Sequence, residues 1–121
     1  MTRTAGFLLC AVAALTSTGC TRGETSAAAG DPGRGRVLLH QYGCNACHRI
    51  PRVLDAVGTV GPPLDDIAER VYLAGTLPNS PANMIAWIRS PQTFKPGTAM
   101  PDLGVGEQDA RDMVAYLDRL R

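Results

Sequence analysis

The chain has 121 residues, with 12 Lys and Arg against 11 Asp and Glu, 45% apolar residues and only 5% aromatic ones. That length holds one compact domain, near the lower size limit for a self-sufficient core once any export segment is removed, so a cofactor that also served as core would help. From Asp31 onward ten basic and ten acidic side chains balance, which excludes the basic footprint of a nucleic-acid-binding protein. The charges are unevenly placed: Arg34, Arg36, Arg49 and Arg52 cluster early, while Glu107, Asp109, Asp112 and Asp118 load the C-terminal stretch. This pattern reads either as a steering asymmetry for a partner or as ordinary solvated helix faces.

Residues 1–20 read as a signal peptide. Arg3 supplies a positive start, Ala5 to Leu15 is an apolar run of eleven residues, and Ser17-Thr18-Gly19 are small. The run is too short to span a bilayer as a helix. Leu15-Thr16-Ser17-Thr18-Gly19-Cys20 resembles a bacterial lipobox, in which the cysteine becomes a lipid-modified N-terminus. Ser17 stands where a lipobox usually has Leu, so Ser17-x-Gly19 also suits ordinary cleavage. Lipidation would give Cys20 an occupation in an oxidising compartment, where it would otherwise be a lone thiol. Residues 21–30 are small and polar, the composition of a disordered linker, and a domain follows over 31–121.

Asp31-Pro32 pairs an N-cap with proline at the first helical position and opens a helix over 32–42, with Val37, Leu38 and Tyr42 at helical spacing. Beyond residue 48, Pro51, Gly58, Gly61, Pro62 and Pro63 predict a loop wrapped over something. A short helix is expected over 64–71, with Leu64, Ile67, Ala68 and Val71 on one face. Ser80-Pro81 repeats the cap signal for a helix to Arg89 with Met84, Trp87 and Ile88 inward. A proline-rich loop spans 90–106. The last helix, 107–120, places Ala110, Met113, Val114 and Leu117 on one stripe, with Glu107 and Asp109 near its positive end. No hairpin signal is evident, so the expected class is all-α.

Cys44-Asn45-Ala46-Cys47-His48 carries the chemistry. Two cysteines three apart at the end of a helix can each add to a haem vinyl group, which brings the next residue, His48, beneath the iron as a ligand. A thioredoxin-like dithiol would need a βαβ context that is missing. A zinc site would need four ligands, where the domain has Cys44, Cys47, His48 and a distant His40. Met84 and Met113 fall on apolar helical stripes and read as core. Met100, in Lys95-Pro96-Gly97-Thr98-Ala99-Met100-Pro101, sits in a stiffened loop where no stripe needs it. A thioether there would close the iron and raise its reduction potential, the arrangement of an electron carrier.

From about residue 31 to its end the chain resembles class I c-type cytochromes. The resemblance rests on the Cys44–His48 motif, on Gly61-Pro62-Pro63-Leu64, and on Pro91-Gln92-Thr93-Phe94-Lys95-Pro96-Gly97-Thr98-Ala99-Met100. It implies a fold of about four short helices and long loops around one covalent haem c, ligated by His48 and Met100. It also implies that the Pro62 carbonyl orients His48, that Thr98 contacts a propionate, and that Trp87 lies against the haem near the methionine sulfur. Gly35, with Leu38 and Leu39, is similar to the family's N-terminal helix, where glycine admits a close crossing by the C-terminal helix and its aromatic, here Tyr116. Leu39 stands where an aromatic is frequent.

The segment Met100-Pro101-Asp102-Leu103-Gly104-Val105 looks most like cytochrome domains of bacterial respiratory oxidases and dehydrogenases. The resemblance thus implies a carrier with no substrate chemistry of its own that moves single electrons between a donor complex or dehydrogenase and a terminal oxidase; together with the signal peptide and the lipobox-like segment, the expectation is a monomer on the periplasmic side, held to the membrane through Cys20. Two alternatives stand beside it: a haem enzyme or gas- or peroxide-binding protein with an open sixth site, and a fixed subunit of an oxidase or dehydrogenase complex.

Overall fold

The computed structural model describes residues 30–121, so the expected signal peptide, Cys20 and the linker as far as Ala29 lie outside the described residues. In chain order the elements are α1 (Pro32–Gln41), α2 (Cys44–Cys47), β1 (Tyr72–Leu73), β2 (Leu77–Pro78), α3 (Pro81–Arg89), α4 (Pro91–Phe94) and α5 (Glu107–Leu117).

Both cap signals act as the sequence predicts. The Asp31 carboxylate accepts from the Gly33 and Arg34 amides at the start of α1, and Ser80 Oγ accepts from Asn83 N at the start of α3. Each cap satisfies a backbone donor that the first turn leaves without a partner, worth about 1 kcal/mol.

α1 crosses α5, and the contact needs glycine: a Cβ on Gly35 would collide with the Asp112 carbonyl. The close approach buries Leu38 and Leu39 of α1 against Ala110, Met113, Val114 and Leu117 of α5. Burying a side chain of leucine size stabilises the fold by roughly 1.5–3 kcal/mol, so this crossing is the main apolar support of the fold. Val37 is instead 47% exposed, because the inward face of α1 runs through Gly35, Leu38 and Leu39.

The same crossing holds Asp112, the buried charged side chain among the described residues. Its carboxylate accepts from Asp31 N at 2.7 Å, from Gln108 Nε2 at 3.0 Å and from Arg34 Nη1. Burial works to raise its pKa, but the Asp31 amide, Arg34 and Gln108 together hold it below the usual carboxylate range. Asp109 takes the other arm of Arg34 at 2.5 Å and the Tyr42 hydroxyl at 2.7 Å. Three charged side chains and one phenol thereby fix the register between α1 and α5.

The expected helix over 64–71 is not formed; only a 3₁₀ turn, Ile67–Glu69, stands there. Asn79 Nδ2 donates to the carbonyls of Ile67 at 2.7 Å and Arg70 at 2.8 Å, capturing acceptors that a continuing helix would use. Ile67 is buried, but Val71 is 73% exposed. The chain then turns into a hairpin pairing Leu73 with Leu77 around Ala74-Gly75-Thr76, with Ala74 and Gly75 at positive φ. Gly75 in a three-residue loop was the available signal. These two-residue strands leave the class all-α. The loop expected over 90–106 contains α4, and α5 ends at Leu117, short of residue 120, where the Leu120 carbonyl accepts from Ala68 N.

Candidate functional site

Cys44 and Cys47 form a single helical turn, α2, entered through Gly43 in the left-handed conformation at φ 75°. His48 caps this turn in extended conformation, its amide donating to the Cys44 carbonyl. The segment after the long loop is laid beside it by two backbone bonds of 2.8 Å, Gly61 N to Cys47 O and Leu64 N to Arg49 O. Between them His48 Nδ1 meets the Pro62 carbonyl at 2.7 Å. A carbonyl only accepts, so Nδ1 carries the proton and Nε2 is left with a free lone pair for a metal. Gly61 is required here, since a Cβ would collide with the His48 ring.

These residues border a cavity of about 510 Å³, within the range of cofactor sites, roughly 300–1,000 Å³. Cys44, Cys47, His48 and Pro62 line it, as do Trp87, Thr98 and Met100 from α3 and the loop after α4. Every site residue that the sequence singled out within the described chain is therefore brought to one cavity. Met84 and Met113 also border it but are buried on helical stripes, whereas Met100 is partly buried. His40, on α1, is not among the lining residues.

Three lining or supporting residues were missed by sequence reading. Gln92 binds the loop that carries Met100: its Nε2 donates to the carbonyls of Thr98 at 2.9 Å and Met100 at 3.0 Å, and its Oε1 accepts from Gly97 N at 3.0 Å. Arg70 and Lys95 put two cations on the cavity wall. Arg70 is fixed by the Pro63 carbonyl and by Asp66 at 2.7 Å, and Lys95 Nζ reaches the Ala74 carbonyl at 3.3 Å. A glutamine clamp of this kind has no motif, and its signal was only its place one residue after Pro91.

The donor set suits haem better than the alternatives. Burial raises the pKa of the Cys44 thiol, the opposite of the depressed value that a catalytic dithiol needs. Among the described residues no three His, Cys, Asp or Glu converge as a metal-ion site. Two thiols, one oriented imidazole, a predominantly apolar cavity and two wall cations match the vinyls, iron, macrocycle and carboxylates of a haem.

The family model for cytochrome c matches residues 33–121. The chain belongs to the cytochrome c family. It is a class I c-type cytochrome whose cofactor is covalently bound haem c and whose role is haem-based electron transfer.

The cytochrome is 36% identical over 90 residues to cytochrome c oxidase subunit 2 of Alkalihalophilus pseudofirmus, an alignment covering 73% of this chain and 25% of that protein. It spans about a quarter of the length of that curated relative. Its fold is similar to that of SoxXA from P. pantotrophus, with a TM-score of 0.58 at 22% identity, over 76% of this chain and 82% of the other.

Proposed function

We propose that this cytochrome is a His/Met-ligated, low-spin carrier that passes single electrons from a respiratory donor or dehydrogenase to a terminal oxidase at the outer face of a bacterial membrane. In this reading Cys44 and Cys47 form the thioether attachments, His48 Nε2 is one axial ligand and Met100 is the other. When bound, the haem supplies an iron that takes up one electron on becoming ferrous and releases it on returning to ferric.

The observation that carries the reading is the 2.7 Å bond from His48 Nδ1 to the Pro62 carbonyl. It fixes the tautomer that a ligand needs and raises the basicity of Nε2. On the other wall, Gln92 holds the Met100 loop, which supports a ligand that stays bound through both oxidation states. Trp87 and Thr98 contribute apolar and hydroxyl contacts to the same cavity, and Arg70 and Lys95 balance the charge of the propionates. Exposed Val60, Tyr72 and Leu103 also border the cavity, giving a partner protein an apolar rim to contact. Location rests on the signal peptide and on Cys20, whose acylation would tether the domain.

A second reading, in which the cytochrome works as a fixed part of an oxidase complex, is supported by its 36% identity to an oxidase subunit. Copurification after gentle detergent extraction, comparing the native chain with Cys20→Ala, separates a bound subunit from a tethered carrier. Mass spectrometry of the mature protein reports the cleavage site, acylation of Cys20 and one haem together.

The axial assignment is tested with Met100→Ala. The variant keeps its covalent haem, binds carbon monoxide when reduced, loses the weak near-infrared iron–sulfur band of the ferric form and has a lower reduction potential. Unchanged spectrum and potential would refute Met100 as ligand and reopen the choice between Met84, Met113 and an open site.

A further inference from the structure

A second concavity, a groove of about 320 Å³, lies between the start of α1, the turn at residues 51–52 and the end of α5, and shares no lining residue with the haem cavity. Arg36, Arg52 and Arg119 line it together with Pro32, Tyr116 and Leu120, and no carboxylate does. Arg34, Arg49, Arg70, Arg89 and Arg111 each pair with an aspartate or glutamate, whereas the three groove arginines, like Arg121, have no carboxylate partner among the described residues.

The groove is also held open by specific bonds. Arg36 Nη1 donates to the Arg52 carbonyl at 3.0 Å, and the Tyr116 hydroxyl donates to the Pro51 carbonyl at 2.5 Å. Arg52 sits at φ 57°, a conformation costly for a side chain with a Cβ, so this turn is held by its contacts. Of the carboxylates adjacent in sequence to groove residues, Asp31 is occupied in capping α1, and Asp118, beside Arg119, is exposed outside the groove lining. Three guanidinium groups around one concavity repel each other until an anion enters, and their planar forks match phosphate oxygens.

We propose that this groove binds the phosphate headgroups of anionic lipids and sets the cytochrome down on the membrane by its α1/α5 end. The occupant is a lipid and not a free anion for two reasons. The arginines are interleaved with the apolar and aromatic surface of Pro32, Leu120 and Tyr116, a combination that suits the headgroup layer of a bilayer. The groove also lies where the described domain joins its N-terminal segment: Gly30 sits against the Arg111 backbone of α5, and Pro32 and Gly33 are groove residues. Ten residues separate Cys20 from Gly30, a span of at most about 35 Å, so a membrane holding Cys20 is within reach of the groove. The inference rests on the membrane location proposed above. Because groove and cavity share no residue, such a contact leaves the cavity rim to redox partners.

The test uses the mature holoprotein secreted behind an exchanged, cleavable leader with Cys20→Ala, so that no acyl chain contributes and a failure here is distinct from an unlipidated Cys20. Partition onto phosphatidylglycerol vesicles at low salt is compared with partition onto phosphatidylcholine vesicles, with the haem spectrum as the check on folding. Each basic residue at an anionic surface contributes roughly fivefold, so Arg36→Gln, Arg52→Gln and Arg119→Gln together should weaken binding roughly 100-fold. Arg119→Gln alone should give about a fivefold loss, while Arg49→Gln, Arg89→Gln and Arg111→Gln together, with the same change in charge, should leave most of the binding. Equal losses from both triple variants would overturn the groove in favour of delocalised charge. Displacement by millimolar inorganic phosphate would make it a small-anion site, and absence of partition onto anionic vesicles would refute the proposal outright.

Discussion

The side-chain amide of Gln92 donates to the backbone carbonyl of Met100 at 3.0 Å, so a residue just past the end of α3 holds the loop that presents the proposed thioether ligand. With its further bonds to Thr98 and Gly97, Gln92 closes that loop through both ends of one amide.

Replacing Gln92 with Ala removes three hydrogen bonds at a partly solvated site, a loss of about 1–2 kcal/mol in the stability of the loop. The global unfolding midpoint should move little. The ferric near-infrared band should instead fade at a lower temperature than in the native protein, and imidazole should displace the sixth ligand at a lower concentration.

Gly61→Ala drives a methyl group into the His48 imidazole. The ring or the Pro62 segment must move, at a cost of about 1–3 kcal/mol. Lengthening of the Nδ1 bond to Pro62 lowers the basicity of Nε2, so potentiometry should show a raised reduction potential, with shifted imidazole resonances by NMR.

Asp112→Ala leaves the Asp31 amide and one arm of Arg34 without their acceptor at the crossing of α1 and α5, costing about 1–3 kcal/mol in guanidinium unfolding of the holoprotein. The native carboxylate has a pKa below its unfolded value, so its contribution is fully present above the unfolded carboxylate pKa and is lost as pH falls through the lowered folded value. Stability measured below about pH 4, the ordinary carboxylate range, should therefore decline less steeply in Asp112→Ala than in the native protein.

Cys44→Ala combined with Cys47→Ala abolishes covalent attachment. Without its haem the apolar cavity of about 510 Å³ loses the group that fills it and exposes its lining to water, a large loss for a domain whose net stability is only about 5–15 kcal/mol. The secreted double variant should carry no covalent haem by mass and show no cooperative unfolding transition by circular dichroism.

The attachment motif, the loop bearing Met100, the two proline-capped helices and the stripe on α5 were legible in the sequence, because each depends on residues close together in the chain. Covalent haem chemistry needs the Cys44, Cys47 and His48 spacing and nothing distant. Caps and helical stripes repeat within a few residues. What the tertiary structure decided depends on residues far apart. Asn79 ended the helix expected over 64–71 by taking the carbonyls of Ile67 and Arg70, and the pairing of Leu73 with Leu77 followed. Asp112 read as surface charge until α1 brought Asp31 and Arg34 onto it. Gln92 and the unpaired Arg36, Arg52 and Arg119 carry no local pattern. Their roles arise only when the fold closes chain separations that periodicity does not register.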